Sequence, residues 1–118
     1  MVLVDTSVWV DHLHRKVVLL ENLLDEEEVF AHPVVIGELA CGGIPNRAET
    51  FRLLEGLPVA TTSSNQEVLH LIETHKFYGK GISWGDAQIL ASALISGCAL
   101  WTHDKKLHEL AKSLGIAK

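Results

Sequence analysis

A chain of 118 residues, 47% hydrophobic and 21% charged, has the size and composition of one ordinary globular domain; it is too short for two cores and too apolar for disorder. With 15 acidic against 10 basic residues its formal charge is −5, which taken alone argues against nucleic-acid binding by bulk electrostatics. No window offers the ~18 uncharged apolar residues of a membrane span, and the start Met1-Val2-Leu3-Val4-Asp5 lacks the basic region of a signal peptide, so a cytoplasmic protein with no membrane partner is expected.

In chain order, Val2–Asp5 is a short apolar run ended by Thr6-Ser7, the pattern of a strand feeding a helix N-cap. Residues 7–13 read as that helix. Apolar side chains at 17, 18, 20, 23 and 24 give a second helical stripe. Residues 28–32 read as a short strand, and Pro33 suits the first turn of a helix that Gly42-Gly43 would end. Asn46 can cap a helix to about Leu54, which Gly56-Leu57-Pro58 breaks, and Val59–Thr61 reads as another short strand. Ser64-Asn65-Gln66-Glu67 has the form of a capping box and opens a helix with Val68, Leu71 and Ile72 inward. After the Gly79-Lys80-Gly81 loop, residues 83–96 form a strongly apolar helix ended by Gly97. Cys98–Trp101 reads as a core strand, and Asp104 starts a last helix.

Strands alternating with helices predict a three-layer α/β/α sandwich around a mostly parallel sheet, with residues 1–118 as a single domain. Ligands of such sheets bind at the carboxyl ends of the strands. Asp5 ends one predicted strand and Asp104 sits just past another, so both point to one rim.

Four carboxylates stand in the four most apolar stretches: Asp5 in MVLVDTSVWV, Glu38 in PVVIGELACG, Asp86 in ISWGDAQILASALI and Asp104 in CALWTHDKKL. An ionised acid in such a setting must be paired, protonated or metal-bound, because desolvating it alone is costly. Converging in space, the four would make an oxygen-only site for a hard divalent cation. Three of them also have a plainer explanation. Asp5 would cap the first helix, although Thr6 or Ser7 can do that. Asp86 completes the S-x-x-D/E capping pattern of Ser83-Trp84-Gly85-Asp86, and Asp104 before Lys105-Lys106-Leu107 is an ordinary N-cap. Glu38 resists this reading, because its helical neighbours Val34, Val35, Cys41 and Gly42 carry no charge.

Other chemistries find less support. Cys41 and Cys98 are far apart without C-x-x-C spacing and read as buried hydrophobes. The 7 histidines form no H-E-x-x-H motif. There is no G-x-S-x-G elbow for a serine nucleophile and no glycine-rich nucleotide loop. Trp9, Trp84 and Trp101 can stack on bases, but their apolar neighbours favour core or subunit interface.

Val2-Leu3-Val4-Asp5-Thr6-Ser7, Val35-Ile36-Gly37-Glu38-Leu39-Ala40, Asp86-Ala87-Gln88-Ile89-Leu90-Ala91-Ser92-Ala93 and Thr102-His103-Asp104, in this order, resemble the PIN-domain ribonucleases, and among them the VapC-type toxins of toxin–antitoxin pairs. The resemblance runs the whole chain. It implies an acidic pocket binding Mg²⁺ or Mn²⁺, with Asp5 and Asp86 as principal ligands, Glu38 and Asp104 completing it, and Thr102 orienting Asp104 or a water. The implied reaction is attack of a metal-activated water on an RNA phosphodiester, leaving a 5′-phosphate and a 3′-hydroxyl. Lys105, Lys106, Arg15 and Lys16 are candidates for phosphate contacts. The family likeness further implies a homodimer and a small cognate antitoxin that lays a helix in a hydrophobic groove. Two rivals stand beside this: a PIN-type nuclease of RNA processing or DNA without antitoxin, and an inactive PIN-fold interaction module.

Overall fold

The computed structural model describes residues 1–118. Three short strands, β1 (Val2–Val4), β2 (Val29–Phe30) and β3 (Ala99–Trp101), form an all-parallel sheet in the order β2-β1-β3. Val2 faces Val29 on one side and Ala99 on the other, so β1 is central. Every residue of β1 is buried. Because alternate residues of a strand face opposite ways, both faces of the sheet must be covered. Seven helices do this: α1 (Thr6–His14), α2 (Val18–Asp25), α3 (Pro33–Cys41), α4 (Arg47–Glu55), α5 (Asn65–His75), α6 (Trp84–Ser96) and α7 (Lys105–Ser113). The expected α/β sandwich is thus present, and none of its helices is long and apolar enough to cross a membrane.

The main core is a cluster of 20 buried residues in which Leu3, Trp9, Leu20, Leu39, Leu54, Ile89, Leu90, Leu100 and Leu107 have almost no exposed surface. At roughly 1.5–3 kcal/mol for each buried large apolar side chain, this cluster supplies the main drive to fold. Helix α6 lies deepest, burying Ala87, Ile89, Leu90, Ala91, Ser92 and Ala93. Its small residues let α5 approach, where Val68 meets Ala87 and Ala91.

Local signals hold at most helix starts. Ser64 and Ser83 both make complete capping boxes, with Glu67 and Asp86, and Pro33 occupies the first turn of α3. Three expectations fail. Asn46 precedes α4 in a left-handed conformation and makes no side-chain cap bond. The strand expected over residues 59–61 shrinks to a single bridge between Ala31 and Val59, because the chain leaves the sheet edge after one pair. Cys41 is exposed while Cys98 is buried: it sits at the solvent side of the last turn of α3, whose core-facing positions are Val35 and Leu39.

Candidate active site

The parallel sheet fixes Asp5 first. Its backbone N–H donates to Trp101 O at 2.9 Å, which extends the β1–β3 pairing to the point where β1 becomes α1. Asp5 is the N-cap residue of α1, yet its side chain makes no capping bond. Instead Oδ2 accepts two hydroxyl protons, from Ser7 Oγ at 2.8 Å and from Thr102 Oγ1 at 2.7 Å. Asp5 and Thr102 are each only 5% exposed, so this network is nearly withdrawn from water. Both hydroxyls also accept: Ser7 from the backbone N–H of His103, and Thr102 from that of Asp104, each at 3.0 Å. The start of α1 and the turn between β3 and α7 are therefore tied together through one carboxylate oxygen.

The remaining acids reach the same rim from three helices. Asp104 caps α7, its Oδ1 accepting from Leu107 N–H at 3.0 Å. Asp86 stands in the first turn of α6, where its Oδ2 accepts from Ser83 N–H at 3.1 Å. Glu38 projects from α3, which packs on α1, and its Oε1 accepts from Thr6 Oγ1 at 2.6 Å. Burial raises the Asp86 pKa above the ordinary carboxylate value; the bonds from Ser83 draw it back, and the negative charges of Asp5 and Asp104 push it further up. Asp86 is thus near enough to Asp5 and to Asp104 to feel the charge of each.

No cation answers that charge from the protein. The ion pairs of the molecule are Met1 N-terminus with Glu28, Lys16 with Glu21, and His103 with Asp11, and none involves the four acids. In each acid one oxygen is fixed by the bonds above, while Asp5 Oδ1, Glu38 Oε2, Asp86 Oδ1 and Asp104 Oδ2 have no hydrogen-bond partner. None of these is a buried orphan, a state reserved for Trp9 Nε1 and Ser63 Oγ. This donor set, all carboxylate oxygen with an uncompensated charge, fits a hard divalent ion. As the side chains stand, no three of them are gathered closely enough to share one ion; their outer oxygens would have to turn inward.

The structure thus brings Asp5, Asp86 and Asp104 together with Thr102, and places Glu38 against the start of α1. It corrects the reasoning that picked them out. Only Asp5 is buried; Asp86 is half-buried, and Glu38 and Asp104 are exposed. Of the helical neighbours of Glu38 only Val35 is buried, and the acid lies at the flank of the Val35/Leu39 stripe, turned to Thr6 of α1. Thr102 aims its proton at Asp5, and it meets Asp104 through the backbone. Lys105 and Lys106 open α7 directly after Asp104. Arg15 lies beyond the far end of α1, about 13 Å along the helix from Thr6 at 1.5 Å per residue, and Lys16 pairs with Glu21. Ser7 is the residue that sequence reasoning missed, having been read as a possible cap. Its signal was its place two residues after a strand-end acid. His103, given no role from sequence, bonds through Nδ1 to Asp11 Oδ2.

Comparison with known proteins identifies the family and the fold. The family model for the PIN domain matches residues 2–113. Ribonuclease VapC32 of Mycobacterium tuberculosis, in strains H37Rv and CDC 1551, is 41% identical over 118 residues, spanning 99% of this chain and 95% of that protein. Among solved structures, FitAcB from Neisseria gonorrhoeae superposes with a TM-score of 0.66 at 22% identity, covering 95% of this chain and 94% of the other. PAE2754 from Pyrobaculum aerophilum gives 0.56 at 20% identity, with 97% and 88% covered. At those identities the two structures speak for the fold alone.

Proposed function

The chain belongs to the PIN-domain family, and from that premise we propose that it is a Mg²⁺- or Mn²⁺-dependent endoribonuclease acting as the toxin of a toxin–antitoxin pair. The observation that carries the reading is the set of four carboxylates on one rim, each with one oxygen fixed and one free, and none matched by a protein cation. The 41% identity to a protein named a ribonuclease supplies the substrate class.

Asp5, Asp86, Glu38 and Asp104 would hold the ion. Bound there, it would supply charge neutralisation at the scissile phosphate and a lowered pKa for water at the site. The chain's own contribution is positioning. Ser7 and Thr102 hold Asp5 by one oxygen so that the other stays free to bind, and Thr6 does the same for Glu38. In all three bonds the hydroxyl donates and the carboxylate oxygen accepts. The product ends are a 5′-phosphate and a 3′-hydroxyl, since no pair of histidines flanks the acids to activate a ribose 2′-hydroxyl.

A small cognate antitoxin and a second copy of the chain are the proposed partners. A cavity of about 630 Å³ between α2 and α4, lined by Leu24, Leu53 and Leu57 together with Glu27 and Arg52, offers a helix a groove with both apolar and charged walls, and Val18 and Leu19 of α2 are exposed. Exposed Leu69 and Ile95 on the α5–α6 side offer apolar surface for the homodimer. Expression of the chain alone in a bacterial host tests the toxin reading: growth should arrest with RNA cleavage, and Asp86→Ala should relieve both. Equal arrest by the variant would dissociate toxicity from catalysis.

A further inference from the structure

A cleft lined by four acids repels the polyanion it is meant to cut, so the substrate must be gripped elsewhere. The structure offers a grip beside the acids. A cavity of about 470 Å³ is lined by Lys80, Lys105 and Lys106, with Glu109 on the same wall. None of the three lysines is in an ion pair, and three cations against one acid leave the cavity positive. Lys80 comes from the loop before α6, the helix that carries Asp86; Lys105 and Lys106 open α7, directly after Asp104.

These two segments touch at Gly81. A Cβ on Gly81 would stand 2.8 Å from Lys106 Nζ and 2.9 Å from its Cδ, and the glycine has φ +79°. Lys106 is therefore laid across a position whose positive φ favours glycine, its side chain filling the space a Cβ would take. The contact ties the first turn of α7, which follows Asp104, to the loop that leads into α6 and Asp86.

The same loop carries aromatic surface on its other side. Tyr78 is 58% and Trp84 44% exposed, whereas Trp9 and Trp101 are buried; of the two settings expected for the tryptophans, core or subunit interface, the core does not hold for Trp84. Tyr78 and Trp84 line an apolar cavity of about 200 Å³, and Trp84 stands two residues before Asp86. A positive cavity and exposed aromatic rings carried by one loop supply the two contacts that hold single-stranded nucleic acid, phosphates on the lysines and base faces on the rings.

We propose that residues 78–84 and the first turn of α7 form the site that holds single-stranded RNA flanking the scissile phosphate, with Lys80, Lys105 and Lys106 gripping its backbone and Trp84 stacking a base. This rests on the ribonuclease reading above and names how that substrate is held. Arg15 and Lys16 take no part in it.

The test is fluorescence anisotropy of a short labelled single-stranded RNA of mixed sequence on the full chain in EDTA, over a salt series, so that no cleavage is needed. Lys80→Glu and Lys106→Ala should weaken binding and flatten the slope of log K against log salt by about 0.7 for each lost contact. Trp84→Ala should weaken it about tenfold at unchanged slope, and Trp84→Phe should retain most of it. Lys112→Ala, on the last turn of α7, should bind as wild type. Lys80 is an exposed loop residue, so loss of the fold does not confound its variant. No RNA binding by wild type, or equal binding by all variants, overturns the assignment and leaves the patch to a protein surface. A protein that binds RNA in this pattern but never cuts it would sink the nuclease reading and keep this site; one that cuts normally after Lys80→Glu and Trp84→Ala would do the reverse.

Discussion

Thr102 Oγ1 donates to Asp5 Oδ2 over 2.7 Å, joining residues 97 positions apart, and accepts the backbone N–H of Asp104 at 3.0 Å. One hydroxyl therefore sets the position of two acids at once. Thr102→Val keeps the shape but leaves a buried carboxylate without one donor and a backbone N–H without its acceptor. Such losses cost about 1–3 kcal/mol of stability, and loss of a partner that orients a metal ligand costs about 10–100-fold in metal affinity or activity. Thr102→Ser should restore both. Urea unfolding with a parallel Mn²⁺ titration reads the two effects.

Asp86 carries the opposite signature. Burial, with the neighbouring Asp5 and Asp104, raises its pKa. The folded state thus holds a proton more tightly than the unfolded chain, and without metal stability falls as pH climbs through the raised value. In Asp86→Asn the side-chain oxygen can still accept from Ser83 N–H. The variant should melt in EDTA at or above the wild-type temperature near neutral pH, and Mg²⁺ should raise the melting temperature of wild type only. A variant that melts well below wild type in EDTA would make Asp86 a structural residue.

Glu38 is exposed, with Thr6 Oγ1 as its hydrogen-bond partner. Glu38→Gln should change unfolding free energy by less than about 0.5 kcal/mol while lowering cleavage at least tenfold. Unchanged cleavage rates would remove Glu38 from the site.

The sheet and most helices were legible because their signals are local: apolar runs of strand length, the two Ser capping boxes, and Pro33. The acids were legible through their company in sequence, yet that company misled about burial. A helix one residue wide of its core stripe exposes Glu38 while its neighbours Val35 and Leu39 vanish inside. The hub at Ser7 and Thr102 was not legible as a hub, because it exists only once β1 and β3 pair. Lys106 over Gly81, and the exposure of Trp84, likewise depend on where α7 lands against the loop before α6.

His32 adds a pH dependence to the fold opposite in sign to that of Asp86. Its Nδ1 accepts the Val34 N–H at the start of α3, at 3.0 Å, so the ring proton sits on Nε2, 2.8 Å from the buried Ser92 Oγ. Burial lowers its pKa, so the neutral ring stabilises the fold above the unfolded value near 6.5, and that stability is lost as pH falls through the lowered folded value. Protonation would also put a hydrogen on Nδ1 against the Val34 N–H. Wild type should lose stability between pH 7 and pH 5, and His32→Asn, which can still cap α3, should lose less. Urea midpoints at the two pH values decide this; parallel slopes would assign the acid sensitivity elsewhere.

The central claim is that these carboxylates make a metal-dependent ribonuclease. It is tested most directly by incubating a mixed tRNA and mRNA pool with Mg²⁺, Mn²⁺ or EDTA, wild type beside Asp5→Asn. The account predicts discrete cuts bearing 5′-phosphates with either metal, none in EDTA, and none from a folded Asp5→Asn protein. Cuts that persist in EDTA or in Asp5→Asn, or a wild-type protein that binds neither metal, would contradict it.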